Sequence, residues 1–221
     1  MLRWWARFPP VLAAQLIWDA EQKSLPVLFK VLLLAALCLY RLDTRAQPIE
    51  VQVDMRGERV VVDVQATVAA VPADAWAVLT DYDHMARYVS ALKSSSVVNK
   101  YGNVLEVEQT GIARVGFMNF SFYSLRAVHL TPEKEIRSQL IRGDFKSYEF
   151  TTRIVDKGAN SLIIHHGEYV PNSWVPPGVG PSLIKAQTAK QYEELVAEIL
   201  ARRRAQVPRA NAASAAASSR P

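Results

Sequence analysis

One cysteine in 221 residues, Cys38, excludes an intramolecular disulfide, so the fold rests on its apolar core. No G-x-S-x-G, no phosphate-cradling glycine loop and no cysteine nucleophile beyond Cys38 occur, which leaves the usual hydrolase and nucleotide motifs unrepresented. Nor does the body carry charge of one sign. The formal net charge of +5 divides as +3 on residues 1–46 and +2 on residues 206–221, while residues 47–205 hold 18 basic and 18 acidic side chains. That balance lacks the clustered basic face of a nucleic-acid binder, and no nucleic-acid partner is expected.

The long apolar run is short as well. Val31–Tyr40, VLLLAALCLY, has ten apolar residues behind Lys30, where a membrane span needs about 20. It suits a signal-peptide core, with Thr44-Arg45-Ala46 as the cleavage site and Gln47 as the mature start. Leu37 before Cys38 is too bulky for a lipoprotein signal. Trp4, Trp5, Phe8 and Trp18, beside Arg3 and Arg7, look interfacial. Residues 1–46 therefore read as a signal peptide that sends the protein to the periplasm or outside the cell, or alternatively as an uncleaved anchor in the inner membrane.

What the chain has in quantity is period-two alternation. Ile49, Val51 and Val53 alternate with polar residues up to Asp54, and a turn follows at Arg56-Gly57-Glu58. Val60, Val62, Val64, Ala66, Val68 and Ala70 then share one face of a long strand. Pro72–Leu79 and a segment through Met85, Tyr88 and Val89 form two short helices broken at Asp81-Tyr82-Asp83, and Trp76 is expected in the core, on the buried face of the first. Further strands span Ser95–Lys100, Val104–Ile112, Asn119–Leu130, Ile136–Ile141, Ser147–Val155 and Ser161–Val170, separated by turn residues. The last ordered element is a helix, Pro181–Arg204, with Ile184, Thr188, Leu195 and Ile199 on one face and Gln187 and Gln191 interrupting it. Such a face fits either a cavity-lining helix or an ordinary amphipathic helix on a sheet. Residues 206–221, rich in Ala and Ser, read as a disordered tail. Strands in succession followed by a long helix make the domain, residues 47–205, α+β.

Residues 73–98, ADAWAVLTDYDHMARYVSALKSSSVV, add a motif. Trp76, Leu79, Asp81, Tyr82, Met85 and Tyr88 occupy a pattern that resembles the START-like (SRPBCC) superfamily, in particular its polyketide-cyclase and coenzyme Q-binding-like branch. Gly143-Asp144-Phe145, Pro171 and the final helix follow in the order of that family, so the resemblance covers about Val60 to Arg204. It implies a helix-grip fold: a curved antiparallel sheet of about seven strands wraps the C-terminal helix and leaves a cavity between them.

The resemblance locates candidate residues. Phe120 and Phe122 share a face, as do Tyr148, Phe150 and Ile154, and Tyr169 shares one with His165. If these faces line the cavity, it is apolar with a few polar groups, as small-molecule sites are; a filled core uses the same residues. Trp174, in the stiff stretch PNSWVPPGVGP, reads as a gate or membrane-touching tip, or as a residue tucked under the helix. The ligand-binding set is then Phe120, Phe122, Tyr148, Phe150, His165, Tyr169, Trp174, Gln187 and Gln191, with His165 and the two glutamines orienting a polar head group. The expected role is carrying or sequestering a lipid- or isoprenoid-like molecule, with no cofactor. A cyclase, dehydratase or hydrolase using His165 with Tyr169 as its acid–base pair is the alternative, and a protein-interaction module a third. His165-His166 with Glu168 is no metal site, because adjacent strand residues face opposite ways.

Overall fold

The computed structural model describes residues 49–115, 118–172 and 178–218. The expected signal or anchor segment and Trp174 lie outside these residues. Eight strands form one antiparallel sheet: β1 (Ile49–Arg56), β2 (Arg59–Val68), β3 (Leu92–Tyr101), β4 (Val104–Val115), β5 (Met118–Thr131), β6 (Glu135–Gly143), β7 (Phe145–Lys157) and β8 (Asn160–Pro171). Between β2 and β3 come helix α1 (Pro72–Leu79) and a 3-10 helix (Tyr82–Arg87), and α2 (Gly180–Ser218) ends the described chain. The α+β, helix-grip architecture holds. Its strand count is eight rather than about seven, because the alternating stretch at Ile49–Arg56 adds β1 as an edge outside the family-like region.

Strand order is β1-β2-β8-β7-β6-β5-β4-β3. From β3 to β8 each strand pairs with the next in sequence, whereas β2 pairs with β8. The joins are tight: Gly57-Glu58, Gly102-Asn103 and Gly158-Ala159 are two-residue loops, and their leading glycines have φ of 65°, 58° and 74°. A positive φ at the first loop position matches the twist of the flanking strands and suits glycine. One ladder is incomplete. β6 and β7 pair only from Glu135↔Arg153 to Gln139↔Glu149. Towards their shared turn they part, β6 staying with β5 and β7 with β8, and Tyr148 stands at the parting.

The inner face of β2 founds the core, with Val60, Val62, Val64, Ala66 and Val68 each at most 3% exposed. Tyr192, Leu195, Val196 and Ile199 of α2 bury against it, together with Ala75, Val78 and Leu79 of α1. Ile184 and Thr188, on the same helical stripe, also line the space between helix and sheet, and Ile184 packs against the edge of the core. Arg202 ties α2 to the turn after α1: it donates to Asp81 at 2.8 Å and to Glu198 at 2.7 Å, and Asp81 also meets His84 Nδ1 at 2.6 Å. Asp83 accepts from the Val97 N–H at 2.8 Å, midway along β3 where its pairing with β4 shifts register. The acidic turn is thus a folding device.

Two expectations change. Trp76 is half-buried against the core rather than inside it, since Ala75, Val78 and Leu79 take the buried stripe of α1. The helix expected to stop at Arg204 continues to Ser218, through most of the segment read as disordered. Alanine, the strongest helix former, recurs there, although Pro208 removes one N–H from the ladder.

Candidate ligand-binding cavity

Between the sheet and the N-terminal turns of α2 lies a cavity of about 380 Å3. The alternation of each strand decides what it presents there. β5 turns Phe120, Phe122, Ser124 and Arg126 inward, β7 presents Tyr148, Phe150 and Thr152, and β8 presents His165 and Tyr169. From α2 come Ile184, Gln187, Thr188 and Gln191, one helical face. The structure therefore brings Phe120, Phe122, Tyr148, Phe150, His165, Tyr169, Gln187 and Gln191 to one cavity, the last two from the helix side; Trp174 falls outside the described residues.

Two glycines make room for the aromatic wall. Gly167 lies opposite Phe150 and Gly111 opposite Phe122, and a Cβ at either would overlap the facing ring and a carbonyl oxygen. Phe150 in turn stacks on the His165 ring, with centroids 4.8 Å apart and planes at 16°. Tyr148 tilts against Phe150 at 4.5 Å, and Tyr169 meets Phe145 edge-on at 5.6 Å.

A polar belt crosses this wall. Ser95, Gln109 and Ser124 are in cross-strand register, and Ser138 and Thr152 continue the belt on β6 and β7. At its centre stands Arg126, 8% exposed. Its Nη1 donates to Ser138 Oγ and Tyr148 Oη, both at 3.2 Å, and its Nη2 donates to Gln109 Oε1. Gln109 passes the chain on to Ser95 Oγ at 2.9 Å. The Arg126 Nε has no hydrogen-bond partner among the described residues. Among the described residues no carboxylate pairs with this guanidinium. Asp144 is the one acid among the described lining residues, and it accepts from the Tyr123 N–H at 2.8 Å.

His165 is a neutral group here. Burial, aided by the charges of Arg126 and His166, pushes its pKa down to about 4. Its accessible edge looks into the cavity and not into bulk water, so burial governs. The Nδ1 sits 2.7 Å from Thr152 Oγ1. Burial raises Tyr82 and Tyr169 to about 12 and pushes Tyr192 higher still.

The acid–base pair considered for His165 and Tyr169 does not form. They share the expected face, but the polar partner of His165 is Thr152, and Tyr169 packs among aromatic rings. A histidine at about 4 and a tyrosine at about 12 are a weak base and a weak acid at neutral pH. On the outer face His166 Nδ1 lies 2.6 Å from Asp63, and Glu168 pairs with Arg59.

Arg126, Gln109, Ser138 and Thr152 were absent from the sequence-based set. The signal for Arg126 was parity: stepping by two from Phe120 and Phe122 reaches Ser124, Arg126 and Val128, all buried. Charged residues within strands are ordinarily assigned to the solvent face, and this one is not.

A family model described as polyketide cyclase / dehydrase and lipid transport matches residues 59–203, well over half of the chain. Among solved structures, a STAR-related lipid transfer protein from Xanthomonas axonopodis is similar with a TM-score of 0.58 and 8% identity, covering 71% of this chain and 95% of that one. An aromatase/cyclase from Streptomyces sp. R1128 follows at 0.54 and 15%, covering 65% and 95%. A START superfamily protein from Mycobacterium smegmatis gives 0.50 and 20%, covering 66% and 98%. At these identities the likeness is one of fold. No curated protein matches in sequence.

Proposed function

Because the chain belongs to the polyketide cyclase / dehydrase and lipid transport family, we propose that it carries or sequesters a small, mainly apolar molecule, lipid- or isoprenoid-like, without catalysing its conversion. One observation supports this most: a cavity of about 380 Å3 walled by Phe120, Phe122, Phe150 and Tyr169 and opened by glycines behind the rings. Its volume lies within the range of small-molecule pockets. Apolar area withdrawn from water would drive binding, at roughly 25 cal/mol per Å2. Gln187, Gln191 and the belt would orient the polar end. The weak acid–base character of His165 and Tyr169 favours carriage over chemistry. We further place the protein outside the cytoplasm, on the reading of residues 1–46 as a cleaved signal.

Mass spectrometry of lipids extracted from the purified protein tests the proposal, together with titration by a neutral naphthylamine fluorophore. The expected result is a co-purifying apolar compound and probe binding that isoprenoid or fatty-acyl competitors reverse. A folded protein that binds no such probe and releases no such compound would refute it.

A further inference from the structure

We infer that the ligand of this cavity bears a single carboxylate, seated on the guanidinium of Arg126. The inference rests on reading the cavity as a ligand site and adds the chemical class of the ligand.

A guanidinium is a permanent cation. Arg126 holds one at 8% exposure, and its neighbours Ser138, Tyr148 and Gln109 are all neutral acceptors. A buried charge without a counter-ion is costly, and an unpartnered N–H adds to that cost. Both deficits are met by one anion within the cavity. A carboxylate offers two coplanar oxygens that match the planar fork. One oxygen displaces Gln109 from Nη2, and that displacement admits the other to the adjoining Nε–H, which is buried while Gln109 is in place.

The count of charges limits the head group. Among the described lining residues His165 is neutral, Asp144 is exposed to water and accepts from the Tyr123 N–H, and no Lys or second Arg occurs, so one buried negative charge is balanced and a second would stay without compensation. A monocarboxylate fits, and a phosphate monoester does not. The rest of the ligand then extends back along β5, past Ser124 to Phe122 and Phe120.

The test uses full-length protein carrying a bound neutral naphthylamine probe, displaced at pH 7.5 by dodecanoate, methyl dodecanoate or dodecyl phosphate. Dodecanoate should displace the probe at a concentration about 10-fold or more below that of the ester, the worth of a charge-assisted hydrogen bond. Dodecyl phosphate should be the weaker of the two anions. In Arg126→Gln the acid-to-ester ratio should fall to near one, while Arg126→Lys should keep part of it. Equal displacement by acid and ester in the wild type overturns the inference and leaves the carrier reading standing. A tighter phosphate overturns the carboxylate assignment, and so does a preference that survives Arg126→Gln. If Arg126→Gln fails to fold, the wild-type comparison and Arg126→Lys decide. A folded wild type that binds no probe removes both readings.

Discussion

The neutral His165 makes stability depend on pH in a window that can be stated beforehand. In the folded protein its pKa is pushed down to about 4 by burial, against the ordinary 6.5 of an exposed histidine. Between those values the unfolded chain takes up a proton that the folded one refuses. The contribution is therefore fully present above pH 6.5 and is lost as pH falls towards 4. Each unit of pH is worth up to about 1.4 kcal/mol, so the window removes up to about 3 kcal/mol. Urea unfolding at half-unit steps from pH 7.5 to 4, for the wild type and for His165→Gln, isolates this residue from every other titrating group. The variant should lose less stability across the window, with the two curves converging as pH approaches 4. Burial would raise Asp81, but His84 and Arg202 hold it below its ordinary 3.8, so the stability it contributes is present through this window and is lost only at more acidic pH. Parallel curves over the whole range would refute a buried, neutral His165.

Gly167→Ala should destabilise by about 1–3 kcal/mol, the range for overpacking, and should also alter probe binding, because the new methyl displaces the Phe150 ring; thermal melts and probe titration measure both. Trp76→Ala should cost about 2 kcal/mol by urea unfolding, roughly half of what full burial would give. Gln187→Leu and Gln191→Leu should change competitor preference in the displacement assay and leave the melting temperature equal or higher, since an apolar group removes a desolvation cost. N-terminal sequencing of the mature protein should begin at Gln47, and a Met1 start in the membrane fraction would indicate an anchor instead.

Strands and turns were legible because each has a local cause. β2 alternates over ten residues, and three of the hairpin glycines sit where a two-residue loop needs positive φ. The cavity-facing aromatics were legible for the same reason, since parity along a strand sets the face. What parity does not reveal is which inward positions tolerate polarity. Arg126, Gln109 and Ser138 support one another across three neighbouring strands, and only the register brings them together. Trp76 was misjudged because an eight-residue helix has a narrow buried stripe, which smaller side chains fill. The extension of α2 past Arg204 turned on helix propensity outweighing a small-residue composition.

The ladder between β2 and β8 has a kinetic consequence. Every other strand pair is a hairpin whose partners are neighbours in sequence, whereas residues paired across β2 and β8 stand 93 (Val68↔Ser161) to 109 (Val60↔Tyr169) positions apart. Hairpins close early because their loops are short, while a loop of this length must form before its contacts give any return. The meander from β3 to β8 can therefore assemble first and wait for β1 and β2 to dock. That docking also brings Val60–Val68 beneath α2, so the slow step of folding is the one that completes the core.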